Sequence, residues 1–387
     1  MTRRTSSYGI IKFCFCIGQL LNVLGYITNC LGIESVFSLV SRSYIILNVL
    51  SFLLFFLDHA ASNSKSKGLL LLIMMGLSTL LAYFVHGSGV SMFNFVLILA
   101  AYLSLPMYIM YMDVLELDTG IYKVIKLSAI VTALFFIFRN VTHPEYSLRG
   151  DLTLGYFNAN YLAILLIQNM SILLVLRFFD YRRLSRLVFW VLFLAEAYLV
   201  YKTNCRTAFV CVLVLFLFPL RKRKTVSRTM SNIFLIAPVL FVLVLNYMSS
   251  RGLLNGVEIL GKPLFSGRET MFDFTVYSIM RNPLFGLFNE YQLGNAHNAF
   301  LSVLASVGII GFVFFYAFYY QTISSYRDQL HGNEVNYVAF IGILILFLEG
   351  CAETSVLLSG SMYAAATSPL LLFVRYTDDL NSEGMIV

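Results

Sequence analysis

Long apolar runs, separated by short polar connections, dominate the sequence. A helix needs about 20 such residues to cross the hydrocarbon core of a bilayer, and twelve runs approach that length, at 8–31, 36–57, 68–86, 90–112, 121–138, 155–176, 187–201, 207–220, 232–249, 297–320, 335–348 and 360–374. The pattern predicts an all-α polytopic membrane protein with about 12 transmembrane helices. We expect one integral membrane domain over 1–387, with spans in 8–249 and 297–374 and a large loop at 250–296 between them.

That loop contains a predicted helix of its own. Ser266-Gly267-Arg268-Glu269 has the form of a capping box, with Ser266 as N-cap and Glu269 at the third helical position. A helix over about 267–281 should follow, because Pro283 then prevents its continuation. We expect this short helix to lie at the membrane interface or to pack over the bundle.

Charge gives the predicted orientation. Cytoplasmic loops retain Lys and Arg during insertion, and an N-terminus inside places eighteen of the 27 basic residues on the inner side. Arg42 then lies within the second span, and the outer side holds Arg139, Arg149, Lys202, Arg206, Arg251, Lys262, Arg268 and Arg281. Both termini are therefore predicted to be cytoplasmic, and 250–296 to face outward.

Composition agrees with this class of protein. Apolar residues make up 59% of 387 positions and charged residues 12%, whereas soluble domains have about 45–50% and about 25%. The net charge of +7 is explained by basic inner loops that contact anionic lipid headgroups. Membrane lipids are thus expected partners, and no nucleic acid is implied.

Arg268 is a candidate for anion binding, because it lies in the first turn of the predicted loop helix. Unpaired backbone N–H groups and the helix dipole favour an anion there, so a cation is locally unfavourable unless an anion binds. A diphosphate would satisfy both the helix terminus and the guanidinium, which binds oxyanions through two parallel hydrogen bonds. The alternative is that Arg268 pairs with Glu269, Asp273 or a lipid headgroup.

His297 opens the tenth predicted span and is followed by Asn298. An imidazole titrates near neutrality and can act as a base, although a histidine at a helix mouth is also often structural. Gly308, eleven residues on, would lie on the same face of a straight helix, about 16 Å away. With Gly311 it is expected to let a neighbouring helix approach closely and to fix the helix that presents His297.

Other polar residues gather at the predicted outer ends of spans. Asn158 and Asn160 could cap the sixth span or donate to sugar hydroxyls, and Arg206 begins the eighth span, where it can reach an outward-facing cavity. Glu196 lies inside the seventh span and is a functional candidate by position, or it pairs with Lys202 or Arg206. At the end of the eleventh span, Glu349 and Glu353 are expected to pair with outer arginines.

HNAFLSVLASVGIIG at 297–311 resembles the outer-loop histidine motif of the O-antigen ligase and O-antigen polymerase superfamily of bacterial membrane proteins. The further blocks that resemble this family are SGR at 266–268, RNPLFG at 281–286, NCRTA at 204–208, and Arg139 with ten residues before Gly150, followed by GYFNAN. Leu287 is a departure, since the family often has a second glycine after Gly286. The likeness covers the second half of the chain, and the first four spans by hydropathy alone.

The resemblance implies a metal-independent glycosyltransferase that needs no cofactor, has a helical fold of the GT-C type and acts at the periplasmic face of the bacterial inner membrane. Its substrate would be an undecaprenyl-diphosphate-linked oligosaccharide, and a chain-length regulator protein is a further candidate partner. The matching positions give His297, Arg268 and Arg206 as catalytic candidates. The substrate-binding candidates are Arg139, Arg149, Asn158, Asn160, Arg281 and Asn298.

Two activities fit this resemblance, and a third belongs to a competing class. The histidine spacing is shared by polymerases, which join lipid-linked repeat units, and by ligases, which transfer the polymer to lipid A-core. The Arg139–Gly150 spacing and GYFNAN favour the polymerase. A transporter of lipid-linked sugars is the competing class, but such folds usually carry inverted repeats and mid-membrane polar groups, whereas the notable polar residues here lie at span ends.

Overall fold

A computed structural model describes residues 7–61, 67–87, 89–221, 225–253, 257–259, 262–263, 268–288, 297–330, 332–350, 353, 357 and 368–376. The fold is a bundle of α-helices, which confirms the predicted helical class. The helices are α1 (Tyr8–Cys30), α2 (Glu34–Ala61), α3 (Lys67–His86), α4 (Met92–Met112), α5 (Thr119–Thr142), α6 (Ala159–Phe179), α7 (Arg183–Thr203), α8 (Arg206–Leu217), α9 (Arg228–Ser250), α10 (Glu269–Arg281), α11 (Ala299–Asp328), α12 (Glu334–Glu349) and α13 (Ser368–Phe373).

Among the described residues, seven helices are long and apolar enough to cross a membrane, namely α1, α2, α3, α5, α6, α7 and α11. The two halves of α4, bent by 44°, would make an eighth span if they act together. α12 has 16 residues, so it is about 24 Å long, less than the roughly 30 Å hydrocarbon core of a bilayer. The chain is thus a multi-pass membrane protein, while the count of twelve spans and their orientation stay predictions.

Helices α6 and α12 form the centre of the bundle. Nearly all of their residues are buried, as expected for helices that are apolar on every side. α6 contacts α5, α7, α8 and α12, and α12 also contacts α8, α9 and α13. Gly342 allows a close approach, because an added Cβ would lie 3.0 Å from Leu370 and 3.2 Å from Ser171. This core fixes the first turn of α6 and the last turn of α12 relative to each other.

α11 is not the straight helix that the sequence predicts. Gly308 has φ 67° and ψ −172°, so the helix is broken there. The turn at 283–287 packs into the break, where the Ile309 N–H donates to the Pro283 carbonyl at 2.7 Å. A Cβ on Gly308 would lie 2.3 Å from the Leu284 carbonyl group. Gly308 therefore admits a loop, and the expectation that it admits a neighbouring helix is wrong.

Gly311, one turn further along, does face other helices. An added Cβ there would lie 3.2 Å from Ser78 Oγ of α3, and the Tyr102 hydroxyl of α4 donates to the Gly311 carbonyl at 2.9 Å. The close helix approach predicted for the pair of glycines therefore holds for Gly311.

The segment between α9 and α11 carries a short ladder and a helix. Strand β1 (Glu258–Ile259) pairs antiparallel with β2 (Lys262–Pro263). α10 then packs on α9 and α11. It begins two residues later than predicted, with Arg268 at the N-cap position and no side-chain cap there; the predicted cap, Ser266, lies outside the described residues.

Helix ends gather at what we call the site end of the bundle, formed by the C-terminal ends of α1, α5, α7 and α12 and the N-terminal ends of α6, α8 and α11. The loop between α5 and α6 connects several of them. Its Leu152 N–H donates to the Lys202 carbonyl at 3.0 Å, and its Asp151 carboxylate accepts from Asn204 Nδ2 at 3.2 Å. Cys30 Sγ donates to the Leu154 carbonyl at 2.7 Å.

Candidate functional site at one end of the bundle

The carboxylate of Glu353, just beyond α12, is the centre of the site. Glu353 is only 5% exposed. Its Oε1 accepts from Arg268 Nη2 at 2.9 Å and from Asn160 Nδ2 at 2.7 Å, and its Oε2 lies 3.3 Å from His297 Nδ1. One carboxylate thus joins three side chains from three separate segments of the chain.

Two asparagine caps place these side chains. Asn158 Oδ1 accepts from the Asn160 N–H at 2.9 Å and caps α6, so that Asn160 lies in the first turn. Asn298 Oδ1 accepts from the Leu301 N–H at 2.9 Å and caps α11. Asn158 therefore follows the capping alternative of the sequence analysis, and the fully buried Asn298 positions the residue before it.

His297 has an unusual backbone conformation. Its φ is 45°, in the left-handed region that costs an ordinary residue roughly 1–2 kcal/mol. The Ala299 N–H donates to the Gly350 carbonyl at 2.9 Å, which ties the start of α11 to the end of α12. Residues held in such a conformation by their surroundings occur most often at functional sites, and this outlier marks His297 as a residue whose direction is fixed.

Arg206, the first residue of α8, interacts with the same cluster. The pKa of its guanidinium is lowered, first by burial and also by the positive charge of Arg268. Burial raises the pKa of the preceding Cys205 thiol to about 11. The charge of Glu353 also raises this pKa, and the charge of Arg268 lowers it. The charge of Arg268 thus acts on Arg206, and two guanidinium groups that repel each other favour binding of a multivalent anion.

The charge of Glu353 follows from two opposing effects. Burial acts to raise the pKa of its carboxyl, but the His297 hydrogen bond, the Arg268 charge and the Asn160 hydrogen bond together lower that pKa below its usual value. Glu353 is therefore ionised at neutral pH. Its neighbour Glu349, one helical turn earlier, is also buried, and within the described part of the chain neither of its oxygens has a hydrogen-bond partner.

Three arginines proposed from the sequence do not join the Glu353 cluster. Arg139 forms an ion pair with Glu145 in the loop between α5 and α6. Arg149 is exposed in the same loop. Arg281 ends α10 and is exposed, about 20 Å along the helix axis from Arg268. The structure thus brings together Arg206, Arg268, His297 and Asn160.

Glu353 is the residue that sequence reasoning did not place in the site, although it was expected to pair with an outer arginine and does pair with Arg268. The expected partner of Glu196 was wrong. Glu196 accepts from Asn169 Nδ2 at 2.8 Å, while Lys202 Nζ donates to Asn140 Oδ1 at 3.2 Å. The bundle interior supplied a neutral amide nearer to Glu196 than either predicted cation.

No protein-family model, curated protein or solved structure matches this chain. Among the residues that the structure describes, no group of three or more His, Cys, Asp and Glu side chains is arranged to hold a metal ion. The family resemblance and metal independence stay predictions.

Proposed function

We propose that the protein is a membrane glycosyltransferase that joins undecaprenyl-diphosphate-linked oligosaccharide repeat units into O-antigen or capsular polysaccharide. The observation that carries this proposal is the convergence of Arg268 and His297 on Glu353, with Arg206 electrostatically coupled to Arg268. Anion-binding groups and a candidate base lie side by side, as a transfer from a diphosphate to a hydroxyl requires.

Arg206 and Arg268 would hold the donor. The bond between the anomeric carbon and the diphosphate oxygen breaks during transfer, and negative charge develops on the leaving undecaprenyl diphosphate. Guanidinium groups stabilise such charge through paired hydrogen bonds. Their location at the N-terminal ends of α8 and α10 adds helix dipoles of the same sign, so this part of the site suits the diphosphate.

His297 would serve the acceptor. Its side chain is 26% exposed, and Nδ1 faces Glu353, which leaves Nε2 for a hydroxyl group. As that hydroxyl oxygen bonds to the anomeric carbon, its proton passes to Nε2. General-base assistance of this kind contributes about 10²–10⁴-fold, and a histidine is suited to it near neutral pH.

The acceptor in this proposal is a second lipid-linked repeat unit. Purified protein given only undecaprenyl-diphosphate-linked repeat units should form a ladder of lipid-linked oligomers and release undecaprenyl diphosphate. The matched control is the His297→Ala protein in the same lipids. If products appear only when lipid A-core is added, and then on the core, the protein is a ligase and the polymerase assignment is wrong.

The site end would face the periplasm across the bacterial inner membrane. This orientation rests on the distribution of Lys and Arg along the chain. An impermeant maleimide should label an introduced cysteine at position 262 in intact cells, but label one at position 224 only after the membrane is opened. Labelling at 224 and protection at 262 would reverse the orientation.

A further inference from the structure

The two oxygens of the Glu353 carboxylate serve different partners. Oε1 accepts from Arg268 Nη2 and Asn160 Nδ2, at 2.9 and 2.7 Å, while Oε2 faces His297 Nδ1 at 3.3 Å. In the proposed reaction, Arg268 belongs to the donor diphosphate and His297 to the acceptor hydroxyl. Glu353 therefore touches both halves of the site.

We propose that Glu353 is a positioning residue, which sets the tautomer and ring orientation of His297 while holding Arg268 in register with it. This inference rests on the proposed function for its kinetic consequences. A carboxylate can accept from Nδ1 only when that nitrogen carries the proton, and the neutral ring then has its lone pair on Nε2. Glu353 thus selects the tautomer that a base at Nε2 needs.

Burial argues against Glu353 itself being the base. Glu353 is 5% exposed and has three hydrogen-bonding neighbours, whereas the His297 side chain is 26% exposed. A substrate approaching the cluster therefore reaches the imidazole first. The amide of Asn160 further restrains the carboxylate, because its hydrogen bond to Oε1 opposes rotation of the group toward solvent.

The backbone of His297 makes the ring direction depend on this contact. Its left-handed conformation and the Asn298 cap fix where the Cβ atom points, but not the rotation of the ring about its side-chain bonds. The hydrogen bond to Oε2 supplies that remaining restraint. With both in place, Nε2 has a single direction.

A measurement on the imidazole tests this role without any substrate. Protein labelled with ¹⁵N-histidine, compared with His297→Ala to assign the signal, should show His297 protonated at Nδ1 in its neutral form. In Glu353→Gln this preference should be lost, because the amide can donate to Nδ1 as well as accept from it. Glu353→Asp should keep it in part. An unchanged His297 signal in Glu353→Gln overturns the inference.

Turnover supplies a second test. We expect Glu353→Gln to lower kcat roughly 10²–10⁴-fold, because a histidine in the wrong tautomer cannot act as the base. Glu353→Asp should recover part of the lost kcat. The Glu353→Gln/His297→Ala double variant should be within about tenfold of His297→Ala alone, because residues acting as a unit are not additive. Fully additive losses would show that Glu353 does not act through His297.

A control separates this role from general stability and from the proposed function. Asp328→Asn removes the carboxylate of the exposed Arg327 pair at the C-terminal end of α11, and it should leave both the His297 signal and kcat unchanged. If the wild-type protein forms no oligomer ladder but its His297 signal responds to Glu353→Gln, then the proposed function fails and the positioning role stands. If the ladder forms and the signal does not respond, the positioning role alone fails.

Discussion

The two ends of the bundle use charge differently. At the end opposite the site, single cations pair with single anions between helix ends, as in Lys12–Asp118, Lys126–Asp180 and Arg375–Asp113. At the site end, one buried carboxylate is shared by Arg268, His297 and Asn160. We call the first the paired end. Its pairs fasten neighbouring helices, whereas the shared carboxylate aligns groups of different chemistry.

Two of the three pairs at the paired end differ from the site in the exposure of the carboxylate. The side chains of Asp118 and Asp113 are 31% and 52% exposed, whereas that of Asp180 is 8% exposed, close to the 6% of Glu353. Pairs in contact with water contribute about 0–1 kcal/mol each, so the Lys12–Asp118 and Arg375–Asp113 pairs should tolerate single changes. A carboxylate as buried as Glu353 is stabilised by its partners in a medium of low dielectric. Removing one partner leaves the remaining charges and hydrogen-bonding groups only partly compensated. Changes at the site end should therefore lower turnover strongly, whereas changes at the paired end should affect only stability, and by a small amount.

His297→Ala is expected to have the largest effect. Loss of the base should lower turnover roughly 10²–10⁴-fold, while the protein still inserts and still binds the lipid-linked donor. Initial rates and donor binding, measured on the same preparation, check this. His143→Ala, which changes an exposed histidine in the loop after α5, is the matched control. If donor binding falls as far as turnover, His297 belongs to the diphosphate site instead.

Arg268→Lys should follow. It keeps the charge, but a point ammonium cannot reproduce two parallel hydrogen bonds to a diphosphate. Loss of one charge-assisted bond, about 1.5–3 kcal/mol, corresponds to roughly 10–100-fold in rate. Arg327→Lys is the control, because Arg327 pairs with the exposed Asp328. Full polymer synthesis by Arg268→Lys, in protein made at normal levels, would contradict paired recognition.

Gly308→Ala is expected to act on the fold. Its φ of 67° is unfavourable for alanine, and the new Cβ would meet the Leu284 backbone at 2.3 Å. Gly332 has φ 79°, but nothing lies within 4 Å of its added Cβ. Gly332→Ala should therefore cost about 1–2 kcal/mol, and Gly308→Ala clearly more. Melting temperatures in detergent compare them, and equal shifts would mean that the 283–287 turn does not need this close approach.

Sequence predicts most of this fold because its strongest signals are local. Helices such as α6 and α12 follow from apolar runs alone, and the N-cap role of Asn158 follows from its place before a helix. The break at Gly308 does not, because its left-handed backbone depends on a turn about 25 residues earlier in the chain. A straight helix was the expectation that local pattern supports, and tertiary packing overrides it.

The site shows the same limit. Arg268 and His297 stand out because a cation at a helix start and a histidine at a span mouth are locally unusual. Glu353 does not stand out, since an acid at a predicted span end is ordinary, and its partners are 85 and 56 residues away. Arg281 has the same residue type as Arg268 but lies at the opposite end of α10. Only the packed bundle distinguishes them.

The smallest expected effect is at the paired end, in Lys126→Met. Asp180 accepts from Lys126 Nζ at 2.7 Å and from the Tyr122 hydroxyl at 3.0 Å. Burial acts to raise the pKa of Asp180, but the hydrogen bonds from Lys126, the Arg182 backbone and Tyr122 lower it below its usual value.

Such a carboxylate adds stability above the pKa of about 4 in the unfolded chain, and that stability is lost as the pH falls through the lower folded value. At pH 7, Lys126→Met should therefore lower the free energy of unfolding by about 1 kcal/mol, because the buried Asp180 keeps its hydrogen bonds from Tyr122 and the Arg182 backbone. The difference from wild type should shrink at and below about pH 4. Denaturant unfolding at both pH values measures it, with Lys123→Met, an exposed lysine on the same helix, as the control. Turnover should not change in either variant, and a loss of turnover in Lys126→Met at full stability would show that the paired end also takes part in the chemistry.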